Sequence, residues 1–374
     1  MNDLVWLIIV SILFLSFFAV SEFLYKKGAD VELTRKLVHF SGAFVTIFFP
    51  FIFESPITVL FLALGFSLIM FLSKKFGLLK SIHGIKRSSK GAFYHPIAIF
   101  ICFLYANLLG LPWFYVISIL ILGISDASAA LVGKNYGKNE FIVEIGTTKT
   151  LEGSIAFFLS SFLIVHLILL LTTGFPRIEC VLIALLIATI VTIFEGVSLG
   201  GADNLFIPLS VIFILSRNIN TGVFELSIQL LVLFSFLVVY LITMLPYKRI
   251  GFSAVVLLGL INYVIWVMLG SIYAFIIFIF SLLCQKTNLI LSYDCEVADK
   301  YRVKPIVYVL AVPIACAFLG DFINNIVIYP FIASIICEII IIRLKLFNND
   351  LNKGLITTTI VSLAVLGVSC VFIQ

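Results

Sequence analysis

The chain has 374 residues, of which 62% are hydrophobic and only 11% charged, with a formal net charge of +5. Soluble domains carry roughly 25% charged residues and must still cover their surface with polar atoms, so a soluble globular protein is excluded. The 38 Phe and 10 Pro suit long helices in lipid, and no alternating apolar/polar ten-residue pattern appears, which argues against a membrane β-barrel.

A span needs about 20 mostly apolar residues. On that criterion the predicted segments are 3–20, 37–53, 57–73, 93–110, 113–133, 151–172, 179–195, 204–216, 223–245, 251–268, 271–284, 306–323, 327–343 and 355–373. The expected fold is therefore an all-α, polytopic transmembrane helical bundle of about 14 segments. Segments 204–216 and 271–284 are short and read as half-helices or re-entrant pieces, tolerated where backbone is buried in protein or lines a cavity. The first segment starts Met1-Asn2-Asp3 without a basic flank, and Ala19-Val20-Ser21 is a weak cleavage site, so an uncleaved anchor is expected.

Lys and Arg set the orientation. Odd-numbered gaps hold Lys26, Lys27, Arg35 and Lys36, then Lys74, Lys75, Lys80, Lys86, Arg87 and Lys90, then Lys134, Lys138 and Lys149; the even-numbered gaps are short and poor in base, with Arg177 and Arg217 the main exceptions. This parity places the basic loops in the cytoplasm and both termini outside. The seven Cys are scattered without a CxxC pair, so neither a zinc site nor a disulfide framework is expected. Every polar cluster of interest precedes Pro246-Tyr247-Lys248-Arg249. The chain accordingly divides into a catalytic membrane region, 1–245, and an additional transmembrane region of unknown role, 246–374.

Five clusters interrupt the apolar sequence. In Thr34-Arg35-Lys36-Leu37-Val38-His39, a positive-inside flank alone accounts for Arg35 and Lys36, but His39 shares their helical face and a His just inside a span suggests a site. Lys86 to Pro96 combines base, small hydroxyls and Gly91, which suits contact with phosphate or with anionic headgroups. Ser125-Asp126 opens a stretch running to Gly133, Gly137 and Lys138; a carboxylate that deep costs on the order of 3 kcal/mol and needs a cation, a base or a proton, and the glycines let backbone approach a ligand. Lys149-Thr150-Leu151-Glu152-Gly153-Ser154 begins the sixth span, where free N–H groups and the helix dipole favour an anion. Glu195 to Pro208 contributes Glu195, Asp203 and Asn204 among three glycines.

Loop parity brings all five to one membrane face. Mg²⁺ takes one or two carboxylates plus phosphate oxygens and water, so Asp126 and Asp203 are the candidate metal ligands, with Lys149 on the phosphates. Phosphoryl transfer needs little beyond positioning and charge neutralisation. An acceptor reaching such a site at the bilayer is most simply a lipid, and no nucleic-acid partner is expected. A transporter uses similar broken helices and carboxylates, but near the midplane rather than at one face.

Residues 34 to about 215 resemble the polyprenol kinase family, which comprises dolichol, phytol and farnesol kinases. The resemblance rests on Arg35-Lys36-x-x-His39, Arg87-x-x-x-Gly91-x-x-Tyr94-x-Pro96, Asp126-Ala127-x-Ala129-x-x-x-Gly133-x-x-x-Gly137-Lys138, Lys149-Thr150-x-Glu152-Gly153-Ser154 and Glu195-x-x-x-x-Gly200-x-x-Asp203-Asn204-x-x-x-Pro208. It implies a CTP-dependent kinase acting on an isoprenoid alcohol in the membrane. It also implies kinship with the CDP-diacylglycerol synthases, hence the alternative of a cytidylyltransferase. The further basic signature of those enzymes is missing here, since no base follows Asp203 until Arg217. In the expected mechanism Asp126, Lys149, Glu195 and Asp203 are catalytic. Arg35, Lys36, His39, Arg87, Gly133, Gly137, Lys138, Thr150, Glu152, Gly153, Ser154 and Asn204 contact nucleotide or phosphate.

Overall fold

The computed structural model describes residues 2–84, 91–144, 147–198, 200–247, 251–286, 357 and 359–362. Among the described residues nine helices are long and apolar enough to cross a membrane, and the chain is an integral membrane protein. The helices are α1 (Asp3–Lys26), α2 (Val31–Thr46), α3 (Phe49–Ile52), α4 (Pro56–Lys75), α5 (Lys80–His83), α6 (Gly91–Leu109), α7 (Pro112–Leu120) and α8 (Asp126–Tyr136). They continue with α9 (Leu151–Thr172), α10 (Arg177–Val197), α11 (Asp203–Arg217), α12 (Val223–Met244), α13 (Phe252–Leu269) and α14 (Ser271–Lys286). Each of the first eleven expected segments falls on helix, with α7, a π-helical turn at Ile121–Ser125 and α8 together forming one span. Segments 306–323 and 327–343, and all but a few residues of 355–373, lie outside the described residues.

Helix boundaries follow local chemistry. Asn2 caps α1 by accepting from the Leu4 N–H, and Ser55 caps α4 through the Ile57 N–H. Pro56 and Pro112 occupy first helical positions, where a missing N–H costs nothing. Asp3 accepts from the backbone N–H groups of Glu54 and Ser55 and from the Thr58 hydroxyl, fixing the start of α1 to the loop before α4.

The chain forms two compact units: residues 1–140 with 149–228, and residues 141–148 with 229–374. In the first, α10 is the most enclosed span and α9 lies along it and along α8. Gly153, Phe157, Ser161, Val165 and Leu169 make the buried stripe of α9, one residue per turn. Its opposite face exposes Ile155, Leu159, Leu163 and Leu167. Exposed apolar side chains at helical spacing are what a lipid-facing surface requires. In the second unit α13 is mostly buried and packs on α14. Leu237 comes within 3.1 Å of the position a side chain on Gly259 would take.

One element departs from the all-α expectation. β1 (Glu140–Glu144) and β2 (Thr147–Thr150) pair in a two-stranded sheet. Their β-branched and aromatic content, Phe141-Ile142-Val143 against Thr147, Thr148 and Thr150, suits extended backbone. Within the second unit the β1 end is held by Ser253, which donates to the Ile142 carbonyl at 3.1 Å, and by the Phe141 and Phe252 rings.

Candidate active site

Lys149 is the penultimate residue of β2, one before the Thr150 cap of α9, and from there its ammonium reaches the last turn of α10. It lies 2.6 Å from Glu195 Oε1 and also contacts the Glu195 backbone carbonyl. Glu195 is buried, so its carboxylate needs this counter-charge; removing one partner of such a pair costs on the order of 3–5 kcal/mol.

Two further carboxylates act on Glu195 electrostatically, those of Asp126 and Asp203, and both also act on His39. Asp126 opens α8 immediately after the π-helical turn. Such single-turn insertions recur at functional positions because they rotate the remainder of the helix. Asp203 opens α11 after a turn in which Gly200 and Gly201 have φ of 60° and 86°, a conformation that side chains disfavour. The turn is secured by Ser198 Oγ, which accepts from the Asp203 N–H at 2.7 Å, and Asp203 Oδ1 accepts from the Asn204 N–H. Asp126, Glu195 and Asp203 thus share one neighbourhood with Lys149 and His39. This surplus of negative charge suits a cation that arrives with phosphate.

The junction of α8 and α9 has a different character. Thr150 caps α9, its Oγ1 accepting from the Gly153 N–H at 3.2 Å. A side chain on Gly133 would meet that Oγ1 at 2.7 Å, one on Gly153 would meet the Ala129 carbonyl at 2.9 Å, and Gly137 faces Thr150 as well. These three glycines let two helices and a cap close on one another. The Glu152 carboxylate accepts from the Asn139 N–H and, at 2.8 Å, from Asn139 Nδ2, so it binds the loop after α8. Ser154 Oγ is enclosed without a hydrogen-bond partner among the described residues, and Lys138 is exposed. Arg87 lies outside the described residues.

Arg35, His39 and Asn204 line a cavity of about 360 Å³ in the first unit; Lys36, one residue from Arg35, does not. His95 of α6 packs beside His39 in its wall, with ring centroids 4.7 Å apart. His39 hydrogen-bonds the Leu122 backbone, leaving Nε2 enclosed without a partner, and both His95 nitrogens are enclosed without partners. His95 was not among the expected site residues, although the rule that singles out His39, a titratable group inside a span, applies to it equally.

Over 182 residues the chain is 34% identical to a phytol kinase of Synechocystis sp., a match covering 48% of this chain and 77% of that protein. No family model matches the chain, and no solved structure matches it.

Proposed function

Because the chain belongs to the polyprenol kinase family, the family of the phytol kinases, we propose that it transfers the terminal phosphoryl group of CTP to the hydroxyl of an isoprenoid alcohol held in the membrane. The alcohol oxygen forms a bond to the γ-phosphorus, the bond from that phosphorus to the β,γ-bridging oxygen breaks, and CDP leaves. The hydroxyl proton passes to a carboxylate of the site. The observation that carries this reading is the Lys149–Glu195 pair with Asp126 and Asp203 around it, next to a cavity whose polar end holds His39 and His95.

Among the described residues no three His, Cys, Asp or Glu side chains are grouped to hold a metal unaided. Mg²⁺ needs no such group when phosphate oxygens complete its shell, and Asp126 and Asp203, both near Glu195, fit that demand. They would hold Mg²⁺ on the nucleotide, where it supplies neutralising charge for the phosphates. Lys149 exchanges Glu195 for the transferring phosphoryl group, adding the charge stabilisation on which this chemistry depends. Glu195, once released, or Asp203 orients the alcohol and accepts its proton. Arg35, on the same helical face as His39, contacts phosphate. The basic loops that lead into this site lie on the cytoplasmic side, where CTP is available. CTP as donor is supported by the five motifs of the resemblance.

The test is phosphoryl transfer by the purified protein from γ-labelled CTP or ATP, with Mg²⁺, to phytol, geranylgeraniol, farnesol and a dolichol. Label is expected in a prenyl monophosphate and is expected to be largely lost in Asp126→Asn. Release of pyrophosphate from CTP with phosphatidate or a prenyl phosphate, and no labelled alcohol, would instead identify a cytidylyltransferase.

A further inference from the structure

The cavity beside the carboxylates changes character along its length. Three helices agree on the direction. On α2 the lining runs from Arg35 and His39 through Gly42 to Thr46, and Phe49 of α3 continues it. On α4 it runs the opposite way in sequence, from Lys74 through Phe66 and Ala63 to Val59. On α6 it begins at Gly91 and passes His95 to Ile99. One end therefore gathers every charged or imidazole side chain of the lining, and the other is hydrocarbon. Thr46, the polar residue at the apolar end, is already satisfied, since its hydroxyl donates to the Ala43 carbonyl and its own carbonyl accepts from the Tyr115 hydroxyl. At the polar end His39 Nε2 and both His95 nitrogens are enclosed without partners. Buried polar atoms without partners are rare and costly, and these belong to two side chains of the cavity wall.

A ligand that completes this space has one small polar head and a single hydrocarbon tail. We propose that the cavity is the tail chamber for an isoprenoid alcohol of about three to four isoprene units, whose hydroxyl lies at the end lined by Arg35, His39 and His95. Two measures give the size. From His39 to Phe49 the chain climbs ten residues, about 15 Å of helical rise. An isoprene unit, four bonds along the chain, extends about 5 Å by ordinary carbon geometry. The volume of about 360 Å³ lies near the low end of the roughly 300–1,000 Å³ that holds a compact small molecule. A dolichol is several times longer than this space. Ala63 and Phe49 set the usable length, one at mid-depth and one at the apolar end.

The inference rests on the kinase reading for what happens to the hydroxyl, but not for the binding of the tail, and two readouts separate them. With whichever labelled nucleotide the wild type accepts, turnover is measured on geraniol, farnesol, geranylgeraniol and a dolichol. The wild type should favour farnesol and geranylgeraniol over the dolichol by about tenfold or more, the scale on which a shaped apolar pocket discriminates chain length. Ala63→Phe should shift the preference to geraniol and farnesol, and Phe49→Ala should shift it to longer alcohols. Separately, a geranylgeraniol analogue with a diazirine at the tail end is photolysed with the full chain in nanodiscs. Label should map to α2, α3 and α4 and be displaced by unlabelled geranylgeraniol. Label there without phosphorylation of any alcohol would remove the kinase reading and keep the chamber. Label confined to lipid-facing residues, a wild type that favours the dolichol, or folded variants that keep the wild-type chain-length profile would overturn the proposal.

Discussion

Lys149 and Glu195 stand 46 positions apart in the chain, and the ammonium of one lies 2.6 Å from the carboxylate of the other. Both side chains are largely enclosed, with 20% and 10% of their surface accessible. A cation already committed to a buried anion can be handed to an incoming phosphate only if that anion acquires other company, and in the proposed reaction the transferable proton of the alcohol would supply it.

Lys149→Ala should abolish phosphoryl transfer. It should also destabilise the protein by on the order of 3–5 kcal/mol, because Glu195 is left charged and enclosed. Lys149→Met combined with Glu195→Gln should regain most of that stability and none of the activity. Thermal unfolding in detergent, tracked alongside turnover, separates the two effects. Near-wild-type turnover in Lys149→Ala would remove the residue from the mechanism.

Asp126→Asn and Asp203→Asn should each leave the protein folded and eliminate most turnover, and whatever remains should need at least about tenfold more Mg²⁺ for half-saturation. A chelator should abolish activity in the wild type, with recovery on adding Mg²⁺ back. An unchanged Mg²⁺ requirement in both variants would contradict the assignment of these carboxylates to the metal.

Gly153→Ala should cost about 1–3 kcal/mol of stability, the usual penalty for overpacking, because the new methyl group meets the Ala129 backbone carbonyl at 2.9 Å. Gly133→Ala should cost a comparable amount, because the atom it meets at 2.7 Å is Thr150 Oγ1, and displacing that oxygen breaks the cap of α9. Equal unfolding temperatures for wild type and Gly153→Ala would show that α8 and α9 do not approach as described.

His83 lies between spans, with Nε2 2.9 Å from Ser73 Oγ. Burial first, and then the Lys74 ammonium, hold its imidazole below the usual histidine range. The unfolded chain therefore takes up the proton more readily than the folded one, and linkage gives the sign. The contribution of His83 is complete above the ordinary histidine value of about 6.5 and is lost as pH falls from there towards the folded value. Thermal midpoints of wild type and His83→Asn should diverge near neutrality and converge in mild acid; parallel profiles would refute it.

Much of this molecule is legible in its sequence, for definite reasons. The helices announce themselves because each carries a long apolar run, and Lys149, Glu195, Asp126 and Asp203 announce themselves because charge inside such runs is expensive. The cavity is not legible, because Phe14, Phe66 and Ala63 are indistinguishable in sequence from side chains that face lipid. Only the packing of α1, α2, α4 and α6 gives them a shared surface. Gly133, Gly137 and Gly153 illustrate a different limit. A glycine records that something comes close, and in this chain the neighbour is Thr150 or a helix backbone, which spacing alone does not distinguish from a phosphate.

The π-helical turn at Ile121–Ser125 makes the span that carries Asp126 sensitive to length in a way that its hydropathy does not record. Removing one residue there would leave ample apolar sequence for insertion, yet it would swing everything downstream by about 100° around the helix axis. The Asp126 carboxylate would then point away from Glu195 and Asp203. The extra residue works as an angular spacer, so this stretch should accept exchange of one aliphatic side chain for another while rejecting any change in residue count.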